Sequence, residues 1–355
     1  MLADSALVFL KQLLDSPGPS GFESAPAKLW RAQAKGFADV SADAVGNSFA
    51  VVNPTGSPSI MLAGHIDEIG VMVVHIDDEG FASIAGIGGW DVQVLIGQRI
   101  RFLGRKGDVL GVVGKKPIHL IKTEEREKAS KMTELWVDIG ATSKKEAELR
   151  LAVGDPGVVD SHTLDFPNAR IVSRSIDDRI GAFVVLEALR RYAAKPGPAR
   201  VVAVATTQEE IGFHGGGARV GANRANPDMA IVVDVCFATD HPGIEKKEHG
   251  DHKLGSGPVI SRGSIFSPVV FALLRDTAES LQIPFTVSAA PRGSSTDADA
   301  IQVARQGVAT ALVSVPNRYM HSPNEMVSLE DLDRAATLIA DSCRRVAADI
   351  DFTNR

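Results

Sequence analysis

The chain has 355 residues, 44 % of them apolar and 23 % charged, with both signs mixed and a net charge of −6. That length holds a large core, as two domains or one elaborated one, and no basic patch or stripe marks a nucleic-acid partner. Two distant cysteines, Cys236 and Cys343, exclude a disulfide framework or thiolate metal site. With no ~20-residue apolar run and no basic leader at Met1-Leu2-Ala3-Asp4, a cytoplasmic protein without a membrane partner is expected.

Leu7, Leu10, Leu13 and Leu14 share one face of a helix predicted from Ser5 to about Asp15. Pro17-Gly18-Pro19-Ser20-Gly21 stops it, and a second helix is expected from Ser24 to Lys35. Ser59-Ile60-Met61-Leu62-Ala63-Gly64 reads as a strand leading directly into His65-Ile66-Asp67-Glu68. A His two residues before an Asp suits a metal ligand oriented by a carboxylate. From Val71 to about Val159, short apolar runs (71–76, 99–102, 109–113, 135–139) alternate with Gly-rich or charged turns. That texture predicts a small all-β, barrel-like module. Within it, Lys122 to Lys128 is a solvated charge run, Gly86-Ile87-Gly88-Gly89 a turn, and Ser143 to Leu151 a short capped helix.

After Val159 strands and helices alternate. Asp177-Asp178-Arg179 opens a helix from Ile180 to about Tyr192. The Val-rich strand 200–205 runs into Thr206-Thr207-Gln208-Glu209-Glu210, then into a glycine-rich turn at Gly215-Gly216-Gly217. Strand 229–233 closes on Asp234; helix 267–281, strand 284–288, helix 296–304, strand 310–315 and helix 328–347 follow. The expected fold is α/β, a mostly parallel sheet flanked by helices. Residues 1–70 and 160–355 would form one α/β domain, interrupted by a β domain at 71–159.

His65, Glu210 and Asp234 fall just after predicted strands, and His321 follows strand 310–315 by a short loop. Open α/β sheets bind ligands at these carboxyl ends. His65, Asp177, Glu210, Asp234 and His321, with Asp67 and Glu209 beside them, offer imidazole and carboxylate without thiolate, which suits zinc, cobalt or manganese. Five ligands exceed one tetrahedral zinc site. With one carboxylate bridging they suit two metals, as in aminopeptidases, and a free carboxylate would serve as general base. No Gly-x-Ser-x-Gly elbow or phosphate loop is present.

The series Gly64-His65-Ile66-Asp67-Glu68-Ile69-Gly70, Ile176-Asp177-Asp178-Arg179-Ile180-Gly181, Gln208-Glu209-Glu210-Ile211-Gly212, Val233-Asp234-Val235 and Met320-His321-Ser322-Pro323 resembles the M42 family of dinuclear metallo-aminopeptidases. The likeness spans nearly the whole chain and extends to Pro19-Ser20-Gly21-Phe22-Glu23 and Ser295-Thr296-Asp297-Ala298. It implies that Asp177 bridges two divalent ions, zinc or cobalt with manganese admitted. His65 and Asp234 would hold one ion, and Glu210 and His321 the other. Glu209 would be the general base and Asp67 would orient His65, while Asp178 and Arg179 would support the site as an ion pair. Short peptides would be the substrates, and the inserted module would pair subunits into dimers and a tetrahedral dodecamer.

His214-Gly215-Gly216 departs from the Arg-Gly-Ala of many members, leaving the ligands intact. His249-Gly250-Asp251-His252 reads as an exposed loop without catalytic metal, Asp240 matches a family loop, and Arg292 precedes a segment that in the family lies near the active site. A deacylase would use the same ligands, whereas a glycosidase needs two carboxylates without a metal. A non-catalytic scaffold should have lost a ligand or the base.

Overall fold

The computed structural model describes residues 2–212 and 215–353; His214 lies outside them. An eight-stranded sheet carries, in order across it, Asp39–Ala42, Ser48–Val52, Arg200–Thr206, Ser59–His65, Met229–Phe237, Ala309–Asn317, Val259–Gly263 and Thr286–Ala290. The four central strands run parallel. Ser48–Val52 on one side and Val259–Gly263 on the other join them antiparallel. Successive strand residues alternate between faces. Ile60, Leu62, Val201, Ala203, Ile231 and Val233 enter one core, while Met61, Ala63, Val202, Val204, Ala230 and Val232 enter the other. Burial on both faces explains why these strands read as unbroken apolar runs.

Helices Asp4–Asp15, Ser24–Ala34, Ile176–Ala194, Pro268–Ser280 and Leu329–Arg345 cover the first face. Gly216–Ala225 and Asp297–Gln302 cover the second. Leu10, Leu13 and Leu14 are fully buried, each stabilising by roughly 1.5–3 kcal/mol. Helix Ile176–Ala194 lies against the sheet beneath Leu329–Arg345, so every residue from Ile176 to Leu189 is buried. A Cβ on Gly64 would stand 2.4 Å from the carbonyl carbon of Gly181. Strand and helix therefore touch backbone to backbone, bringing the start of the helix up to His65.

Strands Gly70–Ile76, Ala82–Ile87, Arg99–Gly104, Gly107–Gly114, Trp136–Asp138 and Pro156–Val159 close into a six-stranded barrel. Its separate core contains Val71, Val73, Ile84, Ile100, Phe102 and Val137. A small antiparallel sheet of Leu164–Phe166, Arg170–Ser173 and Glu325–Ser328 lies elsewhere in the chain.

Some elements differ from expectation. The expected glycine turn holds at Gly215 (φ 82°) and leads directly into a helix from Gly216, where a Cβ on Gly217 would meet Asn47 Oδ1 at 2.2 Å. The helix expected over 143–151 is regular only from Lys144 to Ala147; Leu151 turns instead into the barrel core. The strand expected at 284–288 runs Thr286–Ala290. Among the described residues no helix is long and apolar enough to cross a membrane.

Candidate metal centre

The parallel strands deliver their carboxyl ends to one place. His65 ends its strand, Asp234 lies in Met229–Phe237, Glu209 and Glu210 follow Thr206, and His321 follows Asn317 by a short loop. Asp177 and Asp178 stand ahead of the regular helix with non-helical dihedrals (ψ 109° and 40°). His65 Nε2 lies 3.2 Å from Asp177 Oδ1 and 3.8 Å from Glu209 Oε2. His321 Nε2 lies 3.4 Å from Asp177 Oδ2 and 3.3 Å from Glu210 Oε2, so Asp177 faces both imidazoles. Two groups bring ligand atoms within 4.8 Å of one another, namely His65 with Asp178 and Asp234, and His65 with Asp177 and Glu210.

Buried carboxylates hold the backbone of these residues. Asp67 accepts from Glu209 N at 3.2 Å, Glu210 N at 3.1 Å and Ser20 Oγ at 2.5 Å, and lies 3.4 Å from His65 Nδ1. Asp178 accepts from His65 N at 3.2 Å and Gly181 N at 2.9 Å. Glu325 accepts from His321 N at 2.9 Å and Asp177 N at 3.0 Å. His321 Nδ1 donates to the Gly89 carbonyl at 2.7 Å, a contact that leaves Nε2 facing the carboxylates.

The electrostatics call for positive charge. Burial, then the proximity of Asp177, raises the pKa of Asp234 and of Glu210. Burial and Asp234 raise that of Asp178. Glu209 is pushed up to about 9 by burial, with Asp234, Asp297 and Glu210 adding to it. Burial opposes charge on Asp177 too, but its hydrogen bonds with His321 and His65 outweigh it and lower the pKa. Hydrogen bonds with Asp177 and Glu210 raise His321 to about 11. Buried like charges resist joint ionisation unless a cation joins them. Glu210 Oε1 is also buried without a hydrogen-bond partner. Hard carboxylate and imidazole donors with spare capacity fit a divalent ion.

Two readings of neighbouring residues need revision, and two other residues gain a place. Arg179 does not pair with Asp178, whose oxygens are taken by backbone N–H groups; its guanidinium meets Glu68 at 2.8 Å. His249 is exposed, but His252 is buried, its Nδ1 2.8 Å from Thr286 Oγ1. Asp240 pairs with Arg318 at 2.8 Å, bracing the loop that leads to His321. Cys236 is partly exposed and lines the site cavity. Two contributors escaped the sequence reading. Glu325 was signalled only by lying four residues past His321, and Gly89 acts through a carbonyl, which leaves no side-chain signal.

Sheet and cluster together describe a mixed α/β protein with a candidate metal centre at its parallel strand ends. The family model described as M42 glutamyl aminopeptidase matches residues 46–338. The chain is 36 % identical to the lysyl aminopeptidase of Pyrococcus furiosus, covering 93 % of this chain and 94 % of that protein. It is 32 % identical to the glutamyl aminopeptidase of Lactococcus lactis, covering 80 % and 79 %. The TET aminopeptidase of a marine-sediment Thaumarchaeota archaeon superposes with a TM-score of 0.92 at 35 % identity, covering 97 % of each chain. The TET1 peptidase of Pyrococcus horikoshii, which can assemble into a tetrahedron or a large octahedral shell, gives 0.84 at 31 %, covering 96 % and 100 %. The chain belongs to the M42 peptidase family and is an enzyme of aminopeptidase type.

Proposed function

We propose that this chain removes N-terminal residues from short peptides with two divalent ions, zinc or cobalt, manganese being compatible with the same donors. His65 and Asp234 would hold one, Glu210 and His321 the other, and Asp177 would serve both. When bound, the ions act as Lewis acids toward the scissile carbonyl and acidify water. Glu209 takes the water proton and returns it to the leaving amine.

The observation that carries this reading is the turn on Asp67. By accepting from both Glu209 N and Glu210 N it fixes the turn, from which the two carboxylates part. Glu210 faces His321 and Glu209 faces His65, in support of ligand and base as separate roles. A cavity of about 590 Å³ opens beside them, and Phe237, Pro291, Leu312 and Met320 give it an apolar wall for the substrate side chain. Among the described residues Arg292 is the one charged side chain lining it outside the cluster, which favours neutral or acidic side chains over basic ones.

Residues 1–70 and 160–355 form the catalytic domain in this reading, and 71–159 the pairing module. Exposed Val74, Leu110, Val112, Ile118 and Leu120 within 71–159 support an interface, and the dodecamer and tetrahedron recorded for TET1 peptidases support dimers joined into a tetrahedral dodecamer. The enzyme works in the cytoplasm, where free Cys236 and Cys343 stay reduced.

Paired variants test the mechanism. Glu209→Gln should retain both metals and lose about 10²–10⁴-fold in kcat. Glu210→Gln should lose one metal equivalent and recover activity in excess metal. Full activity and full metal content in both variants would end the two-role reading.

A further inference from the structure

We infer that Glu325 is a positioning residue for the half of the centre that Asp177 and His321 form. Among the described residues it makes no hydrogen bond with either imidazole or the Asp177 carboxylate; it acts through the backbone of His321 and Asp177. The side chain is 2 % exposed, and its two oxygens are divided, Oε1 accepting from His321 N at 2.9 Å and Oε2 from Asp177 N at 3.0 Å. Neither recipient is held by regular structure. His321 has φ 58°, in the left-handed region disfavoured for a non-glycine residue, and Asp177 has ψ 109° at the irregular start of its helix. Glu325 itself is fixed, because it begins a short strand in register with Ser173. One rigid carboxylate thus sets the spacing of two loops far apart in sequence. Among the described residues no Lys or Arg forms a salt bridge with it, so two backbone donors are what the carboxylate serves.

A carboxylate is required because two diverging N–H groups need an acceptor oxygen each. Glutamine offers one oxygen and turns its NH₂ toward the other N–H, so either His321 or Asp177 loses its acceptor. Groups that orient ligands in this way typically change metal affinity 10- to 100-fold.

The inference rests on the reading that Asp177, Glu210 and His321 hold an ion, and the test separates the two. Metal-free full-length wild type, Glu325→Gln, Glu325→Asp, His321→Ala and the Glu325→Gln/His321→Ala double variant are titrated with Zn²⁺ by calorimetry and chelator competition. Thermal unfolding of each metal-free form is recorded alongside. Wild type is expected to bind two equivalents. Glu325→Gln should bind one as tightly and the other 10- to 100-fold more weakly, with an unchanged metal-free melting point. Glu325→Asp, with both oxygens but a shorter reach, should fall between them. In the His321→Ala background, Glu325→Gln should cost markedly less. Wild type binding fewer than two equivalents overturns the reading beneath the inference. Two wild-type affinities in Glu325→Gln, equal losses at both positions, or an undiminished loss in the His321→Ala background overturns the inference itself. If Glu325→Gln does not fold, Glu325→Asp decides, and wild-type affinities there overturn it too.

Discussion

Glu68 sits at the floor of the site, 2 % exposed, between two buried arginines. Its Oε1 accepts from Arg179 Nη2 at 2.8 Å and Gly18 N at 3.0 Å, and its Oε2 accepts from Arg174 Nη1. Glu68→Gln keeps the shape and removes the only carboxylate paired with either guanidinium among the described residues. Breaking a buried ion pair from one side costs about 3–5 kcal/mol, since the charge left behind is uncompensated. Here the residual guanidiniums keep carbonyl partners, Arg179 at Leu13 and Ile66 and Arg174 at Asp15. The expected loss therefore falls near the lower end, about 3 kcal/mol. Guanidinium denaturation of the metal-free protein, followed by circular dichroism, measures it as a fall in midpoint with unchanged slope. Glu330→Gln breaks the exposed Arg334–Glu330 pair (2.9 Å) and serves as the control, expected to cost about 0.5 kcal/mol or less. If Glu68→Gln behaves like the control, the triad contributes little and the account of the floor is wrong.

Two further outcomes follow from the cavity and the barrel. Arg292→Ala should lower the Glu-to-Leu substrate ratio, measured as kcat/KM on aminoacyl substrates, because among the described residues the exposed guanidinium is the cavity's one positive charge outside the histidines; an unchanged ratio removes Arg292 from specificity. Metal-loaded wild type should sediment as a large oligomer at micromolar concentration and Leu110→Glu/Val112→Glu as a smaller species, since both side chains are at least half exposed; a wild-type monomer refutes the assembly.

The strands that present the cluster were legible because burial on both faces leaves unbroken Val-rich runs, as at 200–206 and 229–233. Edge strand Asp39–Ala42 was missed because its residues are mostly exposed and polar, and Arg170–Ser173 because it is too short to show a period. The ligand-type residues were visible from chemistry at strand ends. The groups that hold them were less so. Glu68 and Asp178 were marked only by lying in the family motifs, and Glu325 by no motif; all three act on backbone N–H groups or arginines that only the fold brings near.

The hydrogen bond from His321 to the Gly89 carbonyl bears on how this chain can be taken apart. Gly89 sits between the barrel strands Ala82–Ile87 and Arg99–Gly104, while His321 belongs to the loop after Ala309–Asn317. A shortened chain rejoined from Gly70 to Asp160 would keep every acid and imidazole of the cluster. It would still lose the acceptor that holds one imidazole in a single tautomer and rotamer. For minimisation, circular permutation or grafting of this scaffold, the hydrolytic unit therefore extends past the main sheet into the glycine loop of the barrel.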